Sequence, residues 1–241
     1  MASYDDQTLR QLLDLQGEDS AIVRLQERRS SLPEAARLAE VREQLAELEA
    51  DLAIARKQQG EIAREQSRLE GEIELIDQKA AREDQRMMSG KVANPKELSA
   101  LQAEIAGLQR KRGTVEDQLL EVMVQADAAT ALVEKLDGER SQAQSEADEL
   151  SAEVARLSGD IDVELKEHAA KRDEAATPLP PDLLALYEKI RASKHGVGAA
   201  ALRGGTCEGC HTKLPAVEAE RIRKEKGLQR CDNCRRILVV T

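Results

Sequence analysis

Two pairs of cysteines are the part of this 241-residue sequence equipped for specific chemistry. Cys207-Glu208-Gly209-Cys210 and Cys231-Asp232-Asn233-Cys234 are C-x-x-C knuckles separated by 20 residues. Two tight turns at that separation supply four soft thiolates, the donor set that tetrahedral Zn²⁺ accepts in a closed structural site. Four protein ligands leave no position for water, so the expected metal is structural and not catalytic. Gly204-Gly205 before the first knuckle and Ile237-Leu238-Val239-Val240-Thr241 after the second fit a zinc ribbon, in which each knuckle caps a small β-hairpin. Three other uses of these cysteines have to be weighed. Cys207 to His211 matches the C-x-x-C-H pattern of haem attachment, but that would leave the second knuckle without a purpose. His211 could replace one thiolate in a Cys₃His site. A redox pair would call for a surrounding βαβ pattern, and none is present.

Cations cluster around the knuckles. Lys213, Arg221, Arg223, Lys224, Lys226, Arg230, Arg235 and Arg236 give the ribbon a basic face, four of them on a short helix over Val217–Lys226 that stops at Gly227. Such a face can hold phosphates through charge and Arg forks. The same charges could instead offset the −2 of a Zn(Cys)₄ centre and dock the ribbon on an acidic neighbour. No aromatic residue lies in the ribbon, so base stacking is unavailable and nucleic-acid contact would be directed to the backbone.

The elements that must carry this ribbon are helical. The chain has no Phe or Trp and only two Tyr, with 34% charged residues, a composition for long helices and not for one rounded core. Residues 1–182 hold 24 Lys/Arg against 40 Asp/Glu, a net of −16; residues 183–241 hold 12 against 6, a net of +6. Thr177-Pro178-Leu179-Pro180-Pro181 marks the change, because proline cannot continue a helix. From Leu98 to His168, 17 of 21 positions advancing by three and four are apolar; from Leu38 to Met87, 12 of 15 are. That period is the coiled-coil signature. Arg112, Arg140, Glu164 and His168 interrupt it, His168 being read as a frayed end, and Pro33 as a kink or short break.

Between the two runs, Gly90 is a helix C-cap, and Asn94-Pro95-Lys96-Glu97 restarts a helix with Asn as N-cap and Glu in a capping box. Nearly equal arms on either side of a turn near 89–95 make the simplest structure an antiparallel hairpin over 1–177 with arms of about 120 Å. A mirror point at Gly90 would set Ala55 opposite Ala126 and Leu52 opposite Ala129. The region 178–241 is then a short helix through Leu183, Leu184, Leu186, Tyr187 and Ile190, followed by the C4 ribbon. The fold class is mainly α: a long antiparallel coiled-coil hairpin with a small C-terminal β zinc ribbon.

The heptad hairpin, the turn from Ser89 to Leu98, the Leu184–Ile190 segment and the tail Cys231-Asp232-Asn233-Cys234-Arg235-Arg236-Ile237-Leu238 together resemble the bacterial C4-type zinc-ribbon proteins with an N-terminal coiled-coil hairpin. The resemblance covers essentially the whole chain. It implies a kinked helical hairpin, zinc held by Cys207, Cys210, Cys231 and Cys234, no catalytic activity, and an association with nucleic acid; some members act in flagellar regulation, binding an alternative sigma factor and flagellin messenger RNA. Where the family often has Gly after the last Cys, this chain has Arg235.

The function expected from these features is that of a non-enzymatic adaptor or regulator that carries one structural Zn²⁺ and engages RNA or a nucleic-acid-associated protein complex through the basic ribbon. The alternative is a protein-interaction chaperone or scaffold whose ribbon only stabilises the hairpin base. A transcription factor inserting its hairpin into RNA polymerase ranks third, since the turn offers Lys91 and Lys96 where such factors carry acids. An enzyme is the least expected class: three His, no phosphate-cradling loop and no paired acid/base pocket. Without a membrane span or a secretory signal, the expectation is a soluble cytoplasmic protein, a monomer or weak dimer, with a protein partner and no small-molecule substrate.

Overall fold

The structure, a computed structural model, describes residues 4–90, 92, 94–225 and 227–241. Lys91 and Ala93 of the expected turn, and Lys226 of the basic set, lie outside the described residues. In chain order the elements are α1 (Asp6–Ser30), α2 (Pro33–Met88), α3 (Pro95–Ala176), α4 (Pro181–Ser193), β1 (Ala199–Arg203), β2 (Thr206–Cys207), β3 (Thr212–Lys213), α5 (Ala216–Lys224), β4 (Gln229–Arg230) and β5 (Ile237–Val240). Among the described residues no helix is long and apolar enough to cross a membrane. The chain divides into two compact units, Met1–Arg37 with Leu150–Thr241, and Leu38–Glu149.

The Leu38–Glu149 unit is the heptad seam. Leu69, Ile76 and Val115 form a buried cluster, with Ile73, Leu108, Leu119 and Val122 packed against it. A two-helix seam can be filled by Leu, Ile, Val and Ala alone, each fully buried aliphatic side chain contributing about 1.5–3 kcal/mol. Polar groups along the seam pair across it: Lys79 with Glu104 at 2.9 Å, Lys111 with Glu72 at 2.7 Å, Arg112 with Asp77 at 2.8 Å and Arg56 with Asp137 at 2.7 Å. Gln59 donates to Thr130 at 3.0 Å. These pairings correct the expected register. The mirror is displaced several residues towards the start of α3: buried Ala55 precedes both Arg56, which pairs with Asp137, and Gln59, which pairs with Thr130, so it lies opposite residues beyond Ala126. Heptads repeat identically every seven residues, and only the cross-seam polar pairs choose among the slips.

At the turn, Gly90 takes φ +68°, and the Asn94 side chain accepts the Lys96 backbone N–H at 3.0 Å. The N-cap is therefore present, but the reciprocal half of the capping box is not. Glu97 instead accepts from Arg86 at 2.9 Å.

In the other unit, α1 opens with Asp5 accepting the Thr8 N–H at 2.7 Å, and Pro33 forces a break. The Leu32 carbonyl accepts from Ala35 and Ala36, so Leu32 caps a new helix that has Pro33 in its first turn. A core of Leu12, Leu15, Leu179, Leu183, Tyr187, Ile190, Ala199 and Ile237 joins α1, α4, β1 and β5. α3 runs to Ala176 without fraying at His168, whose Nδ1 lies 2.6 Å from Glu18.

A buried polar network locks this core. Asp19 is 1% exposed. Its Oδ1 accepts from Arg172 at 3.1 Å and Arg191 at 3.0 Å, and its Oδ2 accepts from the Tyr187 hydroxyl at 2.6 Å. Glu188 completes the network by accepting from both Arg172 and Arg191. One turn earlier on α1, Gln16 Oε1 accepts the N–H groups of Gly198 and Ala199, while its Nε2 donates to the Gly196 carbonyl at 3.0 Å. A Cβ at Gly198 would stand 2.7 Å from the Tyr187 ring, so only glycine lets the chain pass there.

The strand order is β3-β2-β1-β5-β4. Two knuckle hairpins, β2–β3 and β4–β5, are antiparallel, as the knuckle spacing implies. They are joined by β1, which pairs antiparallel with β2 and parallel with β5 through Ala199 opposite Ile237 to Leu202 opposite Val240.

Candidate metal centre and basic face

Each knuckle is a turn that returns its backbone onto its first cysteine. The His211 N–H donates to the Cys207 carbonyl at 2.7 Å, and the Arg235 N–H donates to the Cys231 carbonyl at 2.8 Å. To close these turns the residue after each second cysteine adopts the left-handed region: His211 at φ +55° and Arg235 at φ +65°. This is the conformation glycine takes at no cost. Arg235, where the resemblance implies glycine, thus adopts the backbone conformation that glycine favours.

The four Sγ atoms lie within 4.8 Å of one another. Cys207 and Cys234 Sγ are 3.9 Å apart, and Cys210 and Cys231 Sγ 3.8 Å. Four sulfurs at about 2.3 Å from a zinc ion define a tetrahedron with edges of about 3.8 Å, which these two separations match. His211 is not in the set, and the ligand sphere is Cys₄. The haem reading fails with it, because the second knuckle converges on the first.

Burial pushes the Cys207 thiol up to about 12, against the N–H groups of Gly209 and Cys210 that pull it down. Burial also raises Cys231, with the N–H groups of Cys234 and Asn233 acting against it. Burial raises Cys210 as well, but hydrogen bonds from Thr212 and Asn233 outweigh it and bring that thiol to about 6. The Asn233 amide sits 3.6 Å from Cys210 Sγ and 2.8 Å from Thr212 Oγ1. Such donors are what a centre of net charge −2 needs around it. They were not picked out from the sequence, although Asn233 lies inside a knuckle and Thr212 two residues after one.

Two family models match the chain. Residues 15–195 match the CT398-like coiled coil hairpin domain and residues 206–238 the C4-type zinc ribbon domain. The chain belongs to the CT398-like coiled-coil hairpin family. An uncharacterized protein of Mycobacterium tuberculosis, Rv2229c, is 30% identical over 239 residues, 95% of this chain and 94% of that protein. A solved Mycobacterium smegmatis structure is similar over 100% of both chains, at 26% identity and a TM-score of 0.87. The structure of CT398 from Chlamydia trachomatis, at 20% identity and TM-score 0.71 over 98% of each chain, shares the fold. The hairpin is followed by a C4 zinc ribbon whose four cysteines are positioned to bind one zinc ion.

The residues of the expected basic face are not equivalent. Arg236 is spent inside the fold: its guanidinium donates to the carbonyls of Val197 at 3.0 Å, Gly209 at 2.7 Å and Lys194 at 3.1 Å. It fastens the first knuckle to the α4–β1 connection and does not face a ligand. On α5, Arg221 pairs with Glu225 at 2.9 Å, Lys224 with Glu220 at 3.1 Å and Arg223 with Glu220 at 3.9 Å. Arg235 pairs with Asp232 at 3.7 Å. Lys213 and Arg230 are exposed and, among the described residues, make no ion pair. They sit on β3 and β4, the opposite edges of the sheet.

Proposed function

We propose that the protein is a non-catalytic adaptor that binds a protein partner, with the zinc ribbon serving as a structural cap on the hairpin base. The observation that carries this reading is the fate of the ribbon's cations. Of the seven described cations of the expected basic face, one guanidinium holds three internal carbonyls, four are paired with carboxylates, and the two that make no ion pair among the described residues lie on opposite edges of the sheet. A phosphate backbone is gripped by several converging cations, and each neutralised phosphate steepens the salt dependence of binding. This arrangement supports the protein-scaffold alternative over the nucleic-acid reading that net charge alone favours.

The test is affinity capture from native lysate with and without nuclease, together with binding of zinc-loaded protein to a labelled RNA across a salt series. The expected result is a protein partner retained after nuclease treatment and no steeply salt-dependent RNA binding. Loss of every captured protein on nuclease treatment, or RNA affinity falling steeply with salt, overturns the reading.

A further inference from the structure

α3 presents an apolar face on the side that does not enter the seam. Val115, Leu119, Val122, Ala126, Ala129 and Val133 point towards α2 at the expected three- and four-residue steps and are buried or half-buried. Offset from them, Leu120, Val124, Ala128 and Ala131 are all exposed and advance by four, four and three residues, a second apolar line on the same helix. Leu120 is 61% exposed and Val124 70%, and Met123 lies beside them. The outer face of a coiled-coil hairpin is normally solvated by charges, so Leu and Val on this line have no role in the hairpin itself.

The flanks state what would cover it. Asp117, Glu121 and Asp127 border the line, and from Gly113 to Glu134 α3 carries five acids and no Lys or Arg. Among the described residues only Glu116 of the five is held in an ion pair, with Arg112 at 3.0 Å. An anionic membrane would be repelled, and the same line on a second copy would set acid against acid. A helix with leucines on one side and lysines or arginines beside them satisfies both the apolar line and its border.

We infer that the outer face of α3 around Leu120 and Val124 is a docking site for a basic amphipathic helix of a partner protein. This rests on the adaptor reading and gives it a surface: the hairpin, not the ribbon, contacts the partner. The apolar line supplies the anchors, and the acids supply orientation and salt dependence.

The test titrates the full-length, zinc-loaded protein against a fluorescent synthetic peptide helix with leucines along one face and Lys/Arg beside them, and against a scrambled peptide of the same composition. The ordered peptide should bind, and the scrambled one should bind at least about tenfold more weakly. Leu120→Ser with Val124→Ser should weaken the ordered peptide by about tenfold or more, and Asp117→Asn, Glu121→Gln and Asp127→Asn together should flatten its salt dependence. Circular dichroism of each variant checks that the seam, which none of these residues enters, remains intact.

Equal binding of ordered and scrambled peptides, or unchanged affinity in the Ser variant, overturns the site. So does a concentration-dependent dimer in sedimentation that the Val124→Ser change abolishes, since a second copy would then be the occupant. If a nuclease-resistant partner is captured equally by wild type and the Ser variant, the adaptor reading stands and this surface alone fails. If this peptide binds as expected but no partner survives nuclease, the surface stands and the adaptor reading fails.

Discussion

Gln16 on α1 accepts the backbone N–H of Gly198 at 2.6 Å, taking the place of a neighbouring strand at the entry to β1. Its Oε1 also takes the Ala199 N–H at 3.1 Å, so one side-chain oxygen satisfies two buried donors that have no ladder partner. Gln16→Leu should therefore destabilise the protein by about 1–3 kcal/mol, the cost of buried donors left unpaired. Thermal denaturation of the variant measures it. A midpoint equal to wild type would mean that water replaces the glutamine.

Asp19 should be more sensitive. It is buried against two guanidinium groups and a phenol, and Asp19→Ala leaves Arg172 and Arg191 without their shared carboxylate. Breaking a buried pair from one side costs about 3–5 kcal/mol, and much of that should return when Arg191→Met is added to Asp19→Ala. A double-mutant cycle in urea reads the coupling. Strict additivity would show that the network is not a unit.

Removing zinc should have an effect that is graded along the chain. Purified protein is expected to carry about one zinc per chain and to lose it in Cys210→Ser. Ile237 and Ala199 belong to the core that holds Tyr187, so the loss should change the near-ultraviolet signal of that buried ring while the far-ultraviolet helical signal largely persists. An unchanged tyrosine signal would mean that the α1–α4 core does not depend on the ribbon.

The knuckles can be improved. His211 and Arg235 hold positive φ without being glycine, which costs roughly 1 kcal/mol each. Arg235→Gly should raise zinc retention against a competing chelator, the gain offset only slightly by loss of the exposed pair to Asp232. Weaker retention would assign that arginine a role beyond its backbone.

Alkaline pH should unfold the protein through its phenols. Burial first, then the Asp19 carboxylate, raises Tyr187, and the hydrogen bond to Asp182 raises Tyr4. A raised phenol keeps its proton in the folded state after the unfolded chain has lost it, so this stability is complete below about pH 10 and declines as pH rises above it. With only two Tyr in the chain, absorbance at the phenolate band follows the process directly, and Tyr4→Phe isolates Tyr187. Phenolate appearing in folded Tyr4→Phe near pH 10 would contradict the burial argument.

What could be read from the sequence has a clear boundary. The hairpin, the break at Pro33, the Asn94 cap and the Cys₄ set were legible because each depends on local spacing. β1 was not: Ala199, Ala200 and Ala201 have little preference for a strand, and they form one because β5 pairs beside them and Gly198 fits against Tyr187. Gln16 and Asp19 carry no local mark, since a buried polar residue is marked only by partners that lie more than 150 residues away. Arg236 read as one more cation for the same reason; the three carbonyls it holds come from two distant turns.

The parallel pairing of β1 with β5, and the reach of Gln16 to Gly198, also set a timetable for biosynthesis. α1 leaves the ribosome early, yet its partners Tyr187, Gly198 and Ile237 are 171 to more than 200 residues downstream. At about 5–20 residues per second, α1 waits on the order of 10–40 s with Leu12, Leu15 and Asp19 unsheltered. For that interval α1 lacks the residues that bury its apolar face, and the core closes only when β5 delivers Ile237.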